Sequence, residues 1–500
     1  MQKRAVIIGS GISGLVAAAI LSQHVHVTVL ERADRIGGKI ESKNINGVAT
    51  DCGPTVLTLR GVFEAVFRDA GSDLRSHIEL TRLDKLARHF WFDGSSLDLF
   101  SDLDRTYQSI SEFSSKKSAE QYLRFSKTAA SVFETLTPSF LLRSEPDLLR
   151  LVTSKSIGRL IGLNPFDTLK KYLSQSFDDP RLVQLFSRYA TYCGASPFLS
   201  PATLMLVAHV ERLGVWTLAG GMMDLANALR KLAEKNGAEF RLNAEAERIE
   251  FIQNRVAHVR LASGEMTPSH AVICTADIAA LANNCLGPTA ARAVPARMRT
   301  TRSQSAITWT FAAACKGPAL DHHNVFFSEH YEDEFTAIFD HDSVPRHPTV
   351  YICAPGSGEE RSLFCLINAP ANGDKRTYFE EEITTCYTRM TETLGKCGLS
   401  LSPNPQTVSV STPTEYAKRF PATGGALYGP ASHGWQAAFK RQGVRSRKRG
   451  LYLAGGSMHP GPGLPMAALS GRAAAHALLS DLDLITPQTL AAMRGGISMV

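Results

Sequence analysis

A chain of 500 residues with 44% apolar residues can bury a large core and divides into two to four domains. It has no uninterrupted apolar run of about 18 residues, which excludes an ordinary transmembrane helix. The net charge is +7, and six of the basic residues fall in residues 440–449, so the rest of the chain is close to neutral. That run reads first as a solvated loop. Its functional alternative is attraction to anionic lipid headgroups, at about 1 kcal/mol per basic residue. No aromatic residues interleave with the charges, which argues against nucleic acid as a partner. Nine cysteines, an odd number, lie scattered without a Cys-x-x-Cys pair. They suggest reduced thiols in a cytosolic setting rather than a zinc site or a disulfide framework. The N-terminus passes within a few residues into an apolar run and leaves no room for a signal peptide.

The chain opens on Ala5-Val6-Ile7-Ile8-Gly9-Ser10-Gly11-Ile12-Ser13-Gly14, an alanine-rich helical pattern, and a second apolar run that ends on Glu31. This order is strand, tight turn, helix, strand and acid, the fingerprint of a dinucleotide-binding βαβ unit. Gly9 allows the turn, Gly11 lets backbone approach a pyrophosphate, and Gly14 lets the helix pack on the strand. The helix N-terminus offers unpaired N–H groups to phosphate. Glu31 stands where a carboxylate binds ribose hydroxyls. Directly after it comes Arg32-Ala33-Asp34-Arg35-Ile36-Gly37-Gly38-Lys39. A second cluster of glycine and base suits a longer cofactor and favours FAD over NAD. Asp51-Cys52-Gly53-Pro54-Thr55 reads as a turn entering a helix, with Thr55 as its cap.

These pieces resemble the N-terminal signature of the flavin-dependent phytoene desaturase family, itself related to the amine oxidases. The resemblance implies that Glu31 binds adenosine ribose and that Gly37, Gly38, Gly53 and Pro54 lie along the flavin.

From about residue 103 to 215 glycine is sparse and helical periodicity appears in residues 119–136, 147–151, 165–173 and 181–189. Pro138, Pro146, Pro165 and Pro180 each stand near an expected helix start. Within this insertion Arg188-Tyr189-Ala190-Thr191-Tyr192-Cys193-Gly194-Ala195-Ser196-Pro197 leads into residues 203–211, either a buried helix or the wall of an apolar tunnel. His209 and Glu211 are the ionisable groups on that helix and, with His459, the catalytic candidates. Burial of a lone His or Glu more often means satisfied hydrogen bonding. The 188–197 stretch resembles the hydroxycarotenoid branch of the desaturases.

Gly220-Gly221 then precedes a helix over 225–235, stopped by Asn236-Gly237. A strand starting at Glu239, a hairpin over 248–261 and a buried strand from Ala271 follow. Residues 305–312, 324–327, 350–354 and 363–368 read as strands and 377–394 as a helix. His322, His323, His341 and His347 show no metal-ligand spacing, so no metal site is expected.

The closing stretch, Leu451-Tyr452-Leu453-Ala454-Gly455-Gly456-Ser457-Met458-His459-Pro460-Gly461-Pro462-Gly463-Leu464-Pro465-Met466, runs from a strand through glycine and proline into a helix. Pro465 suits a first helical turn. This segment resembles the C-terminal signature of bacterial carotenoid desaturases. Its continuation to Gly471 is most similar to the 1-hydroxycarotenoid 3,4-desaturase branch, the hydroxyneurosporene or methoxyneurosporene desaturases. The cofactor candidates are therefore Gly9, Gly11, Gly14, Glu31, Arg32, Gly37, Gly38, Lys39, Gly53, Pro54, Gly455, Gly456, Pro465 and Met466. The fold expected is α/β, amine-oxidase and phytoene-desaturase-like. Residues 1–75, 214–287 and 414–486 form a discontinuous Rossmann-like FAD-binding domain. Residues 76–102 and 288–413 form a mixed-sheet substrate domain, 103–213 a helical insertion for substrate and membrane, and 487–500 a tail.

The resemblance implies an FAD-dependent desaturase of an acyclic carotenoid. It would be cytoplasmic, associated peripherally with the bilayer that holds its substrate, and reoxidised by quinone or oxygen. Phytoene or neurosporene desaturation is the alternative substrate choice. A different oxidase of the same fold and a non-enzymatic prenyl-lipid carrier are the alternatives in kind.

Overall fold

The computed structural model of the chain describes residues 3–148, 164, 166–299, 302–358, 360–486, 497 and 499. Residues 149–151, Pro165 and most of the 487–500 tail, about which expectations were stated above, lie outside the described residues.

Ala5 to Ile8 are all buried, so the first strand, Arg4–Ile8, has no solvent face. A continuous apolar strand of this kind belongs in the middle of a parallel sheet. It pairs in parallel with His26–Leu30 on one side and Ala271–Cys274 on the other. Glu239–Arg241 and Leu451–Leu453 complete the five-stranded sheet at its two edges. The helix Ile12–Leu21 is buried at every residue. Its alanines keep it thin enough to pack against both the closing helix, Leu464–Asp481, and the helix Met222–Lys235. A Cβ on Gly14 would fall 2.1 Å from the Gly9 carbonyl oxygen, and one on Gly471 would fall 2.2 Å from the Ser13 carbonyl oxygen. These two glycines set how closely strand, first helix and closing helix approach.

A second, mixed sheet of eight strands has Ser305–Lys316 and Glu360–Ala369 paired antiparallel at its centre. The helix Glu380–Lys396 covers one face through Cys386, Met390 and Leu394. Lys85–Phe90 and Ser96–Phe100 extend the sheet. The short pair Leu80–Arg82 and Trp216–Leu218 ties the region before the insertion to the region after it.

In the insertion, Asp102, Ser115, Thr168 and Asp179 cap four helices by accepting a backbone N–H of the first turn. Pro180 opens a helix as its fixed φ allows. Pro138 does not. It lies in a wide turn, Thr137–Leu141, that continues the helix Lys116–Leu136 without a break. Thr55 is not a helix cap either. The next helix is Arg60–Asp69, preceded by Leu59 in the left-handed conformation, and the Thr55 hydroxyl bonds the Tyr351 hydroxyl instead. Among the described residues no helix is long and apolar enough to cross a membrane.

The helices Arg60–Asp69 and Leu464–Asp481 are joined by a buried cluster. Asp69 accepts from Arg472 at 2.7 Å and lies 2.9 Å from His476. Burial alone would raise the Asp69 carboxyl, but His476 and Arg472 outweigh it and hold the carboxyl below the usual carboxylate range. A depressed carboxylate stabilises the fold above its unfolded pKa and loses that stabilisation as pH falls through the folded value. Asp69→Asn is expected to cost about 3–5 kcal/mol, as breaking a buried ion pair from one side does. Thermal melts of variant and wild type should differ most at neutral pH and converge on acidification.

Candidate functional site

Arg4–Ile8 and Ala271–Cys274 are neighbours, yet their sequence successors in the sheet lie on opposite sides. Ligands of open α/β sheets bind in the crevice at such a switch point. Gly9 leaves the first of these strands with φ +96°, and a Cβ there would meet the Thr275 hydroxyl at 2.5 Å. Thr275 leaves the second and donates to the carbonyls of Ile8 and Gly9 at 2.8 and 3.2 Å. The two glycine clusters that the sequence presents separately meet here. Gly11 and Gly37 form a parallel bridge, and a Cβ on Gly38 would come within 3.0 Å of the Gly11 Cα. Gly53 packs against the Lys39 carbonyl, 2.2 Å from where a Cβ would sit, with Pro54 next in the chain.

Glu31 ends the second strand with its side chain buried. Its carboxylate accepts from the Ser10 backbone N–H and hydroxyl at 2.8 and 2.7 Å, and from the Ala33 N–H at 2.9 Å. These bonds fix its orientation beside the glycine turn. Arg32 behaves differently from expectation: it is exposed and donates to the Lys418 carbonyl. Arg419 takes the place beside the double glycine, donating to the Gly38 carbonyl at 3.1 Å and pairing with Glu41. The Lys39 ammonium donates to the Leu427 carbonyl at 2.6 Å, and its burial lowers its pKa.

The closing segment enters the same crevice. A Cβ on Gly455 would lie 3.6 Å from the Thr275 carbonyl oxygen and 3.8 Å from the Ser13 hydroxyl. Gly456 follows, Pro465 occupies the first turn of the closing helix, and Met466 beside it is half-buried. Arg441 holds this loop from behind. It belongs to the basic run, yet it is buried and donates to the carbonyls of Pro430, Gly456 and Ser457. The run is therefore not one solvated loop: Lys440, Arg445, Arg447 and Arg449 are exposed, while Arg441 and Val444 are not.

Two helices start in this crevice, at Gly11 and at Gly463, and neither start is capped by a side chain. The helix Met222–Lys235 differs. Asp51 accepts from the Met222 N–H at 3.0 Å, and burial pushes its carboxyl up to about 6. Uncapped N–H groups, a positive dipole end and backbone stripped of side chains are what a pyrophosphate needs. The buried carboxylate of Glu31 is an acceptor of the kind ribose hydroxyls need. The described residues thus fit FAD.

The three catalytic candidates are all engaged. Glu211 is buried and accepts from the hydroxyls of Tyr189 and Tyr192 at 2.6 and 2.7 Å, and burial raises its carboxyl. His209 packs on the Phe133 ring with its Nδ1 3.2 Å from Arg212, and burial lowers it to about 4. His459 places Nε2 3.0 Å from the Phe140 carbonyl, stands edge-on to the Phe140 ring, and is also lowered to about 4 by burial. It joins the closing loop to the helical insertion.

The structure also brings together His322, His323 and Cys353, whose donor atoms lie within 4.8 Å of one another. Strand pairing aligns His323 with Cys353, which no linear spacing announces. Burial pushes the Cys353 thiol up to about 12, so a protonated sulfur faces the imidazoles. His323 Nδ1 meets the Tyr351 hydroxyl at 2.8 Å. Sequence reasoning missed the roles of Arg419, Asp51 and the Thr55–Tyr351 pair, because each acts on a segment far away in the chain, and that of Arg441, because it sits inside a run of charges that reads as solvated. The basic Lys418-Arg419 pair carries no motif of its own.

Comparison with known proteins agrees with this geometry. The profile of the family described as flavin containing amine oxidoreductase matches residues 12–479. Among solved structures, an oxidoreductase from Methanosarcina mazei matches with a TM-score of 0.61 at 15% identity, over 94% of this chain and 99% of its own. The class is thus a flavin oxidoreductase, and the chain belongs to the flavin containing amine oxidoreductase family, with FAD as its cofactor. Within it, the hydroxyneurosporene desaturase of Rubrivivax gelatinosus is 43% identical over 99% of this chain and 97% of its own length. The 1-hydroxycarotenoid 3,4-desaturase of a Flavobacterium species is 31% identical over 94% and 98%.

Glu31→Ala is expected to weaken FAD binding about 10- to 100-fold, the loss of one hydrogen bond to a charged group. Gly14→Val should block the helix from seating on Gly9 and abolish FAD retention. Flavin absorbance per polypeptide after gel filtration measures both. Full occupancy in both variants would remove these residues from the cofactor site.

Proposed function

We propose that this protein is an FAD-dependent desaturase of carotenoid biosynthesis that removes two hydrogens across C3–C4 of an acyclic 1-hydroxycarotenoid of the hydroxyneurosporene type. The names and identities of the relatives support the reaction class. One observation in the chain itself carries the substrate class. The helix Leu206–Leu213 buries His209 and Glu211 most deeply, while Leu206, Val207, Ala208, Val210 and Leu213 pack on the core only half-buried. Water-soluble proteins bury apolar side chains first. A helix that keeps them only half-buried beside a deep polar network is suited to a long apolar ligand rather than a small cation.

FAD, when bound, supplies the acceptor for one hydride, and the neighbouring carbon loses a proton. The chain's own contribution is positioning and exclusion of water. Neither His209, Glu211 nor His459 stands free as a base, and the conjugated polyene spreads the charge that develops. Quinone or oxygen is the proposed acceptor that returns the cofactor to its oxidised form.

The substrate is insoluble in water, so the protein must collect it from a bilayer. Phe166 is 70% exposed and stacks edge-on with Trp435, 37% exposed, at 5.8 Å. Exposed Leu199 accepts the Gly434 N–H, directly before Trp435. These three side chains, with Lys440 and Lys171 exposed nearby in sequence, form a surface suited to peripheral contact with a membrane on the cytoplasmic side.

Incubation of the flavin-loaded protein with 1-hydroxyneurosporene, neurosporene and phytoene in liposomes tests the reaction. The red shift of polyene absorption should give the highest kcat/KM for the hydroxylated substrate. Preference for phytoene would move the protein to the alternative substrate, and no product from any of the three would end the desaturase reading.

Replacing Phe166 and Trp435 by Asp and Ser should cut co-sedimentation with anionic liposomes by about tenfold or more, since each buried aromatic contributes about 1.5–3 kcal/mol. Unchanged co-sedimentation would remove this patch from the membrane contact.

A further inference from the structure

We infer that Arg188, Thr55 and Tyr351 form a subsite for the hydroxyl group of the substrate. This inference rests on the desaturase reading above and adds the residues that recognise the polar end.

Arg188 opens the turn Arg188–Cys193, deep in the protein, and keeps part of its surface open. Its Nη1 donates to the Tyr192 hydroxyl at 3.1 Å, which donates in turn to Glu211. The guanidinium lies over the Tyr192 ring at 5.0 Å and the Tyr351 ring at 5.6 Å. A planar cation held by two rings and a hydroxyl relay has its donors fixed in direction. One hydrogen bond to Tyr192 occupies one of its five N–H groups.

Tyr351 is half-open as well, and its hydroxyl lies 2.7 Å from the Thr55 hydroxyl and 2.8 Å from His323 Nδ1. Thr55 follows Gly53 and Pro54, and Gly53 packs against the carbonyl of Lys39 beside the double glycine. Through Thr55 the cluster thus lies two residues along the chain from the glycine that packs beside the cofactor crevice. Glu211 belongs to the helix Leu206–Leu213. A substrate hydroxyl needs a donor for its oxygen and an acceptor for its proton. Arg188 offers only donors, and the Thr55 hydroxyl has two lone pairs to accept with.

The position agrees with the chemistry in the relative's name. A hydroxyl on C1 lies only three bonds from C3, the nearer carbon of a 3,4-desaturation. A polar partner far from the cofactor crevice could not hold that hydroxyl while C3–C4 reacts; one beside it can. A charge buried without purpose against an apolar wall would be costly, and its pairing here leaves donors for a ligand.

The test compares 1-hydroxyneurosporene with neurosporene, in liposomes, for wild type, Arg188→Met and Tyr351→Phe, each checked for flavin content. In Arg188→Met, kcat/KM should fall about 100-fold further for the hydroxylated substrate than for neurosporene, within the range by which a hydroxyl-binding site rejects the analogue lacking the group. Tyr351→Phe should shift the same ratio by about tenfold. An equal fall for both substrates, or no fall, overturns the subsite. If Arg188→Met emerges without flavin, Arg188→Lys is judged by the same ratio. A wild type active on neither substrate would fault the desaturase reading instead, which separates the two failures.

Discussion

The first turn of the first helix has no room for a side chain at Gly14, and much of the fold is arranged around that close approach. Gly14 sits against the Gly9 carbonyl, Gly471 of the closing helix sits against Ser13, and Gly38 sits against Gly11. Strand, first helix, closing helix and double-glycine turn meet backbone to backbone. A Cβ at Gly14 or Gly471 would land about 2 Å from a main-chain oxygen that cannot move aside. The N–H groups of the two helix starts, at Gly11 and Gly463, have no side-chain cap. Close backbone packing and uncapped backbone donors thus occur side by side in the crevice.

Charged groups around this centre are mostly tied to the chain itself. Asp51 takes the N-terminus of the Met222–Lys235 helix, Arg441 takes the carbonyls of the closing loop, and Arg419 takes that of Gly38. Each closes a polar group that would otherwise be buried unpaired, at a cost of about 1–3 kcal/mol. Asp51 and Arg419 also join segments far apart in sequence, while Arg441 ties together residues 430–457. Burial lowers His209 and His459 to about 4, so both imidazoles are neutral at physiological pH. They suit packing and hydrogen bonding better than proton storage, and on the proposed reading the reaction depends on placement of a long substrate more than on an ionisable catalyst.

The apolar surfaces have a complementary distribution. Leu206, Val207 and Val210 are half-open beside the deep tyrosine and arginine network, and Phe166, Leu199 and Trp435 are open on the outside of the protein. Both sets run against ordinary burial preference. On the proposed reading they serve one ligand, met first at the bilayer and then inside.

The sequence by itself determined the parallel βαβ start, the helix over 225–235, four of the eight strands of the mixed sheet and the final turn into the closing helix. These depend on periodicity, on glycine where φ or a close approach demands it, and on proline at a first turn, all of which act within a few residues. It also marked Gly9, Gly11, Gly14, Glu31, Gly37, Gly38, Gly53 and Gly455 as backbone and acceptor positions, and the crevice gathers all of them. Only the tertiary structure decided what the ionisable residues do. Arg32 and Arg419 carry the same charge near the same glycines in space, and which one reaches Gly38 depends on how residues 414–420 fold back across the chain. His323 and Cys353 meet through strand register, and Arg188 meets Tyr351 through packing of the insertion on the mixed sheet. Local patterns cannot specify such meetings, because side-chain partners are fixed by contacts between elements tens to hundreds of residues apart.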